Sequence, residues 1–383
     1  GDENTAIGDG ALSGNTTAHK NVALGARAML INSTGASNVA VGYEALELNT
    51  TASSNTGIGY LALTANTTGT QNVAVGATAL DANTTANYNT AVGYGSLGAN
   101  TTGATNTAVG RTALAANTTA ADNTAVGYAA LNTNTTGTAN TAVGHNAADA
   151  ITTSSYNVAI GGNALGAATT GDGRNVAIGQ GSMAATTTGA YNVGIGEGAL
   201  GANTTANSNI AIGATALDAN TTGTENVAIG QDALGAITTG SSNTAVGHNA
   251  LLVSTADDNT AFGRRALYAN TTGSSHVAVG LSALGANTTS AANTAVGYRA
   301  MELNTTGGYN VGVGAYALAD CTTGANNTLV GSYAADNLTT GDFNTGLGQN
   351  ALAVVSTADS NVALGYEVLK SCNGYGNTGI GTS

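Results

Sequence analysis

The residues able to do chemistry in this chain are few, and they never converge. Four His (His19, His145, His248 and His276) and two Cys (Cys321 and Cys372) are spread over 383 residues. No His recurs beside a Ser and an Asp as a nucleophilic triad would need, and no pair of carboxylates repeats at a fixed spacing. The abundant Gly never forms the G-x-x-x-x-G-K-[ST] loop that cradles phosphate. Asp is too sparse for glycine-rich calcium rolls, which need one in each nonapeptide. No catalytic, metal or cofactor site is read here, and the chain is expected not to be an enzyme. The one abundant modification motif is N-T-T, or N-S-T at Asn32, which recurs from Asn15 to Asn304 as a formal N-glycosylation acceptor.

Tyr and Arg are the residues suited to gripping a partner. Tyr43, Tyr60, Tyr94, Tyr128, Tyr298 and Tyr366 occupy one equivalent place in a repeating pattern, and Arg264, Arg265 and Tyr268 make the densest cationic and aromatic spot. Two readings stand. Either this is a solvated edge that accepts any side chain, or it is a surface contacting glycans or proteins through residues favoured at recognition sites.

All of these residues hang on one repeat. NTAVGYGSLGANTTGAT, residues 89–105, returns as NTAVGRTALAANTTAAD and again as NTAVGYAALNTNTTGTA. Units open at an Asn every 17 residues, from Asn4 to Asn377, giving 22 complete units and a partial one. His276 replaces the opening Asn once; the unit at 157 has 18 residues, and those at 243 and 361 have 16. The consensus is N-[TV]-A-[VI]-G-x-x-A-L-x-x-N-T-T-G-x-x, numbered 1 to 17 from its Asn. No linker interrupts it, so residues 1–383 read as a single continuous domain.

Seventeen residues are too few for a βαβ unit, which needs about 30. The A-L-x-x-N-T-T segment is too short and too poor in helix formers to stand as a helix, and the leucine-rich pattern is missing. What fits is an all-β fold: a parallel β-solenoid of 17-residue coils, with strands at positions 2 to 4. At a strand spacing of about 4.8 Å, 22 coils would form a rod on the order of 105 Å long.

Composition agrees. Pro is absent, Gly numbers 56, and only 8% of residues are charged although net charge is −13, which fits neither disorder nor collagen. No run reaches the roughly 18 apolar residues of a membrane span, so membrane insertion is not expected. No signal peptide is visible, and Gly1 reads as a processed or trimmed start. Eight basic residues in an acidic chain make a poor partner for phosphate backbones, so nucleic acid is not expected.

Each position is sampled some two dozen times within the chain. Position 5 is Gly in all 23 units, implying a positive φ or a backbone approach too close for a Cβ. Position 4 is aliphatic except for Phe262, and position 9 is Leu or Met except for Ala148 and Ala335; these two columns are the expected core. Position 3 is Ala or Gly except for Leu329. It should point the opposite way, its small residues pressed against a second or third chain. Position 1 should form a ladder of stacked Asn amides. Position 12 accepts Ile151, Ala168, Ile237, Cys321, Leu338 and Cys372. It should therefore face inward as a second ladder, and heavy glycosylation is not expected. Cys321 and Cys372 stand three coils apart, about 14 Å, beyond the roughly 7 Å reach of a disulfide, and read as small buried side chains. The three off-length units should absorb their irregularity in the turn before position 1, keeping the strands in register.

NVAIG (175–179, 226–230), NIAIG (209–213) and NTAVG (89–93) resemble the N-S-V-A-I-G head repeats of trimeric autotransporter adhesins. The resemblance runs through essentially the whole chain. It implies a left-handed β-roll, three chains around one axis, and binding to host matrix or cell surfaces. The family's repeat is shorter and its Asn stands one position earlier, so collagen binding is not carried over. Similar runs occur in phage tail fibres and other secreted fibres. GNTGIGTS (376–383) is similar to the segment preceding a self-cleaving chaperone domain in such fibres, which implies the ordered part of a longer fibre. The expected function is thus a homotrimeric, adhesive segment of an extracellular, cell-surface or virion-surface fibre, with a protein or glycan receptor. The alternative is an ice-binding solenoid using the Thr columns at positions 13 and 14, although adjacent Thr point to opposite faces.

Overall fold

The computed structural model describes residues 1–168 and 170–382; Thr169 of the position 13 column and Ser383, the last residue of GNTGIGTS, lie outside them. The chain is an all-β parallel β-solenoid. Among the described residues it has 23 strands, β1 (Thr5–Ile7) to β23 (Thr378–Ile380), each covering positions 2 to 4 of one unit. Gly1–Tyr191 and Asn192–Ser383 form two compact units. In the first, β1 to β11 (Val176–Ile178) pair in parallel in chain order; in the second, β12 (Val193–Ile195) to β23 do the same.

Position 5 ends each strand, and both reasons for its glycine hold. Gly93 has φ 135°, and a Cβ there would stand 2.5 Å from the carbonyl oxygen of Gly110 in the next coil. From there to position 12 the chain runs through tight turns in which positions 7 and 9 are left-handed, as at Glu44 and Leu46 (φ 53° each). Each such non-Gly residue costs roughly 1 to 2 kcal/mol. Bonds between coils offset this: the Leu46 N–H donates to Ala62 O at 2.9 Å, and the Glu44 N–H to Ala26 O at 3.1 Å. The second wall is thus knitted like the strand wall, without strand dihedrals.

The faces of the strand are the reverse of the expectation. Ala40 is fully buried, while Val39 and Val41 on either side are half exposed. Position 3 lines the coil interior and position 4 faces out, so the Ala column, including Ala91, Ala108 and Ala125, is no interface. The reason is wall spacing. A Cβ on Gly57 would lie 3.3 Å from Leu46 Cγ, so the inner face of the strand meets the Leu column directly and has room only for Ala or Gly. The exceptions obey the same volume rule. Leu329 occupies position 3 in the unit that has Ala335 at position 9, and both are fully buried. Met301, longer than Leu, reaches to 2.9 Å from where a Cβ on Gly312 would stand.

Two Asn ladders complete the core, as expected. At position 1, Asn38 Oδ1 accepts the Asn55 N–H at 2.8 Å while its Nδ2 donates to Ala52 O at 2.9 Å. At position 12, Asn49 Nδ2 donates to Asn32 Oδ1 at 2.8 Å and to the same Ala52 O at 3.0 Å. Where Ile151 or Cys321 interrupts the second ladder, the preceding Asn134 Oδ1 and Asn304 Oδ1 are left buried without a partner.

The irregular units keep their register as expected, but the short unit at 243 loses its residue between Ser254 and Ala256, ahead of the expected Ala256-Asp257-Asp258 corner. Register holds across all three, with Val158 opposite Val176, Thr244 opposite Thr260 and Val362 opposite Thr378. In the long unit, Gly171 (φ 107°) and Gly173 (φ 68°) take the extra residue. In the unit opening at 243, Ala256 O receives the Asn243 Nδ2 at 2.9 Å, so the missing residue comes out of the turn just before it.

Candidate recognition surfaces

Two surfaces leave the solenoid wall. The first is the outward face of the strands, where positions 2 and 4 hold only Val, Thr, Ile, Leu or Phe262 in every unit. These residues are half exposed or exposed and carry no charge.

The second is the turn ridge, which bears the Tyr and Arg singled out above. Because equivalent residues of successive coils lie side by side, rings at one position stack. Tyr43 stacks on Tyr60 with centroids 5.7 Å apart. Tyr94 and Tyr128 are brought together only through Arg111, whose guanidinium lies 5.9 Å and 5.7 Å from their centroids; Tyr128 then stacks on His145 at 5.2 Å. Tyr298 meets Tyr316 edge-on at 5.2 Å, and Tyr316 stacks on Tyr333 at 5.1 Å. A hydrogen bond with Arg299 holds the Tyr316 phenol below its ordinary pKa. Arg265 lies 4.4 Å from the Tyr268 centroid, while Arg264 and Tyr366 are exposed. The nine residues therefore form separate clusters. Arg111, Tyr316 and Tyr333, and Arg174 between Tyr156 and Tyr191 at 5.3 and 5.4 Å, were not singled out. The signal was available: each set shares a position, or neighbouring ones, in consecutive coils.

The remaining reactive residues are built into the wall. Burial pushes the Cys321 thiol up to about 12, so it stays protonated. Cys372, by contrast, is half exposed rather than buried, being in the last complete coil. His276 fills an Asn slot: its Nδ1 accepts the Asn293 N–H at 3.1 Å, and its Nε2 lies 2.9 Å from Ser290 O, which assigns the proton to Nε2. Burial lowers its pKa. The sequon Asn100 is fully buried within its ladder. In the Thr columns, position 13 spends its hydroxyl on the next coil, as Thr50 Oγ1 does on Thr67 O at 3.0 Å, while Thr51 at position 14 is exposed. Among the described residues no three His, Cys, Asp or Glu gather as metal ligands, and no helix is long and apolar enough to cross a membrane. No protein-family model matches the chain, and no curated protein matches it either.

Proposed function

We propose that this chain is a non-enzymatic, structural and adhesive segment of an extracellular fibre, a left-handed β-roll packed as a homotrimer through the outward face of its strands. The supporting observation is that face itself. Two ranks of uncharged, mostly apolar side chains run through every unit, and large contiguous apolar patches on soluble proteins mark interaction sites. A partner that fits must repeat at the spacing of the strands, and further copies of this chain do. The turn ridge then stays outside, its Tyr and Arg free to meet a surface protein or glycan.

Sedimentation mass tests the reading. The chain should weigh three times its 36.8 kDa. Replacing Val92, Val109 and Val126 together with Lys should yield monomers whose circular dichroism is unchanged. A wild-type monomer, or a trimer indifferent to the three Lys, would refute it. Thermal hysteresis in solution would instead favour ice binding, which the occupied hydroxyls of position 13 disfavour.

A further inference from the structure

Position 10 changes size abruptly over three coils: Tyr268, then Gly285, then Glu302. Coils stand about 4.8 Å apart, so the side chain missing at Gly285 leaves a slot between large neighbours. The structure has a cleft of about 210 Å³ there, lined by Arg265, Tyr268, Ser282, Gly285, Ala286, Glu302 and Leu303. It is smaller than the roughly 300 Å³ at which drug-sized pockets begin, and suits a single ring.

The charges around the slot are uneven. Arg265 lines it and Arg299 pairs with its Glu302, two of only eight Lys and Arg in a chain of net charge −13. Glu302 is engaged by Arg299 at 2.7 Å, whereas Arg265 has no ion-pair partner among the described residues. Its guanidinium rests against Tyr268 instead, which restrains the side chain before any ligand arrives. The slot thus offers an aromatic face, a free guanidinium suited to a planar carboxylate, and hydroxyl and carboxylate oxygens for sugar hydroxyls.

We propose that the Gly285 slot binds one ring of an acidic sugar, its carboxylate on Arg265 and its apolar face on Tyr268. This names the ligand class of the adhesive reading and rests on that reading for its purpose, but binding itself is measured separately. Saturation-transfer NMR on the intact chain, with glucuronate and with glucose as a neutral ring of the same shape, reads the slot directly. Glucuronate should bind, and glucose at least about tenfold more weakly, a difference of about 1.4 kcal/mol. Arg265→Gln and Tyr268→Ala should each weaken glucuronate by a similar factor. Gly285→Leu should abolish binding with unchanged circular dichroism, since Leu30 and Leu252 hold this position in other coils. Equal binding of the two sugars, no binding of glucuronate, or full binding by Arg265→Gln or Gly285→Leu would overturn the proposal. A monomeric wild type that binds glucuronate would sink the fibre and leave the slot standing; a trimer that ignores it would do the opposite.

Discussion

Replacing Asn100 by Asp changes one NH₂ into one oxygen and almost nothing else. Asn100 is fully buried; its Nδ2 donates to Asn83 Oδ1 at 3.1 Å and Gly103 O at 3.0 Å, and its Oδ1 accepts from Asn117 Nδ2 at 2.9 Å. In Asn100→Asp the new oxygen faces two acceptors at bonding distance, and a charge enters the wall with no cation beside it. Two lost bonds at about 1 kcal/mol each, together with an uncompensated buried charge, come to roughly 3 to 5 kcal/mol at pH 7. Asn100→Ile loses those two bonds and the one from Asn117 Nδ2 as well, and it leaves Asn83 Oδ1 unpaired, as Asn134 Oδ1 is beside Ile151. The orphan costs about 1 to 3 kcal/mol, the other two bonds about 1 kcal/mol each, and burial of the Ile returns about 1.5 to 3, so the net cost should be roughly 0 to 3.5 kcal/mol, below that of the aspartate. The aspartate also carries a pH signature. Its folded pKa is raised above the unfolded value near 3.9, so the penalty should shrink as pH falls from the raised value toward 3.9. Once protonated it regains a donor for Asn83 Oδ1. Because repeat arrays need not unfold in two states, the measurement is native-state hydrogen exchange at the amides of residues 89–122. Equal cost for Asp and Ile, or a neutral Asp at pH 7, would show that the column is solvated and the ladder is not structural.

Two further outcomes follow from the core. His276 has a folded pKa below its unfolded value of about 6.5, so the wild type should lose stability as pH falls below 6.5, by about 1.4 kcal/mol for each pH unit until the folded pKa is reached. His276→Asn restores the ladder and should abolish that dependence; exchange rates at the Asn293 amide between pH 7 and pH 5 check it, and an unchanged dependence would move the cause elsewhere. Leu329→Ala should cost about 2 to 5 kcal/mol by opening a cavity. Adding Ala335→Leu, which returns the unit to consensus, should recover most of it in denaturant unfolding. Additive losses would mean that the two columns do not share one space.

The repeat, the strand positions, the position 5 backbone, both Asn ladders and the register across the odd units were legible because each is a local demand that every coil repeats. The direction of positions 3 and 4 was not. The misleading inference was that the larger residue of an alternating pair belongs inside, which holds for thick cores. This wall stands so close to its partner that Ala opposite Leu fills the gap, and Val or Ile is left outside. One unit carried the contrary signal: Leu329 and Ala335 exchange sizes, which makes sense only if positions 3 and 9 compete for one volume. The Tyr and Arg clusters were half legible. Their residues stood out by type, but the stacks depend on consecutive coils, and Arg111 links Tyr94 to Tyr128 only because it sits one coil from each.

Knitting each coil to its immediate neighbours alone also determines how such a chain gives way under tension. Tension between the ends passes in series through the bonds from coil to coil, such as those from Val39 to Asn55 O and from Leu46 to Ala62 O, and an end coil, held on one side only, gives way first. It peels before the next coil becomes an end coil in its turn. Each event frees 17 residues, which extend to about 55 Å where the folded coil spanned about 4.8 Å. Tension is therefore dissipated in nearly equal steps, one coil at a time, and a tether made of these repeats lengthens about tenfold before its backbone is strained.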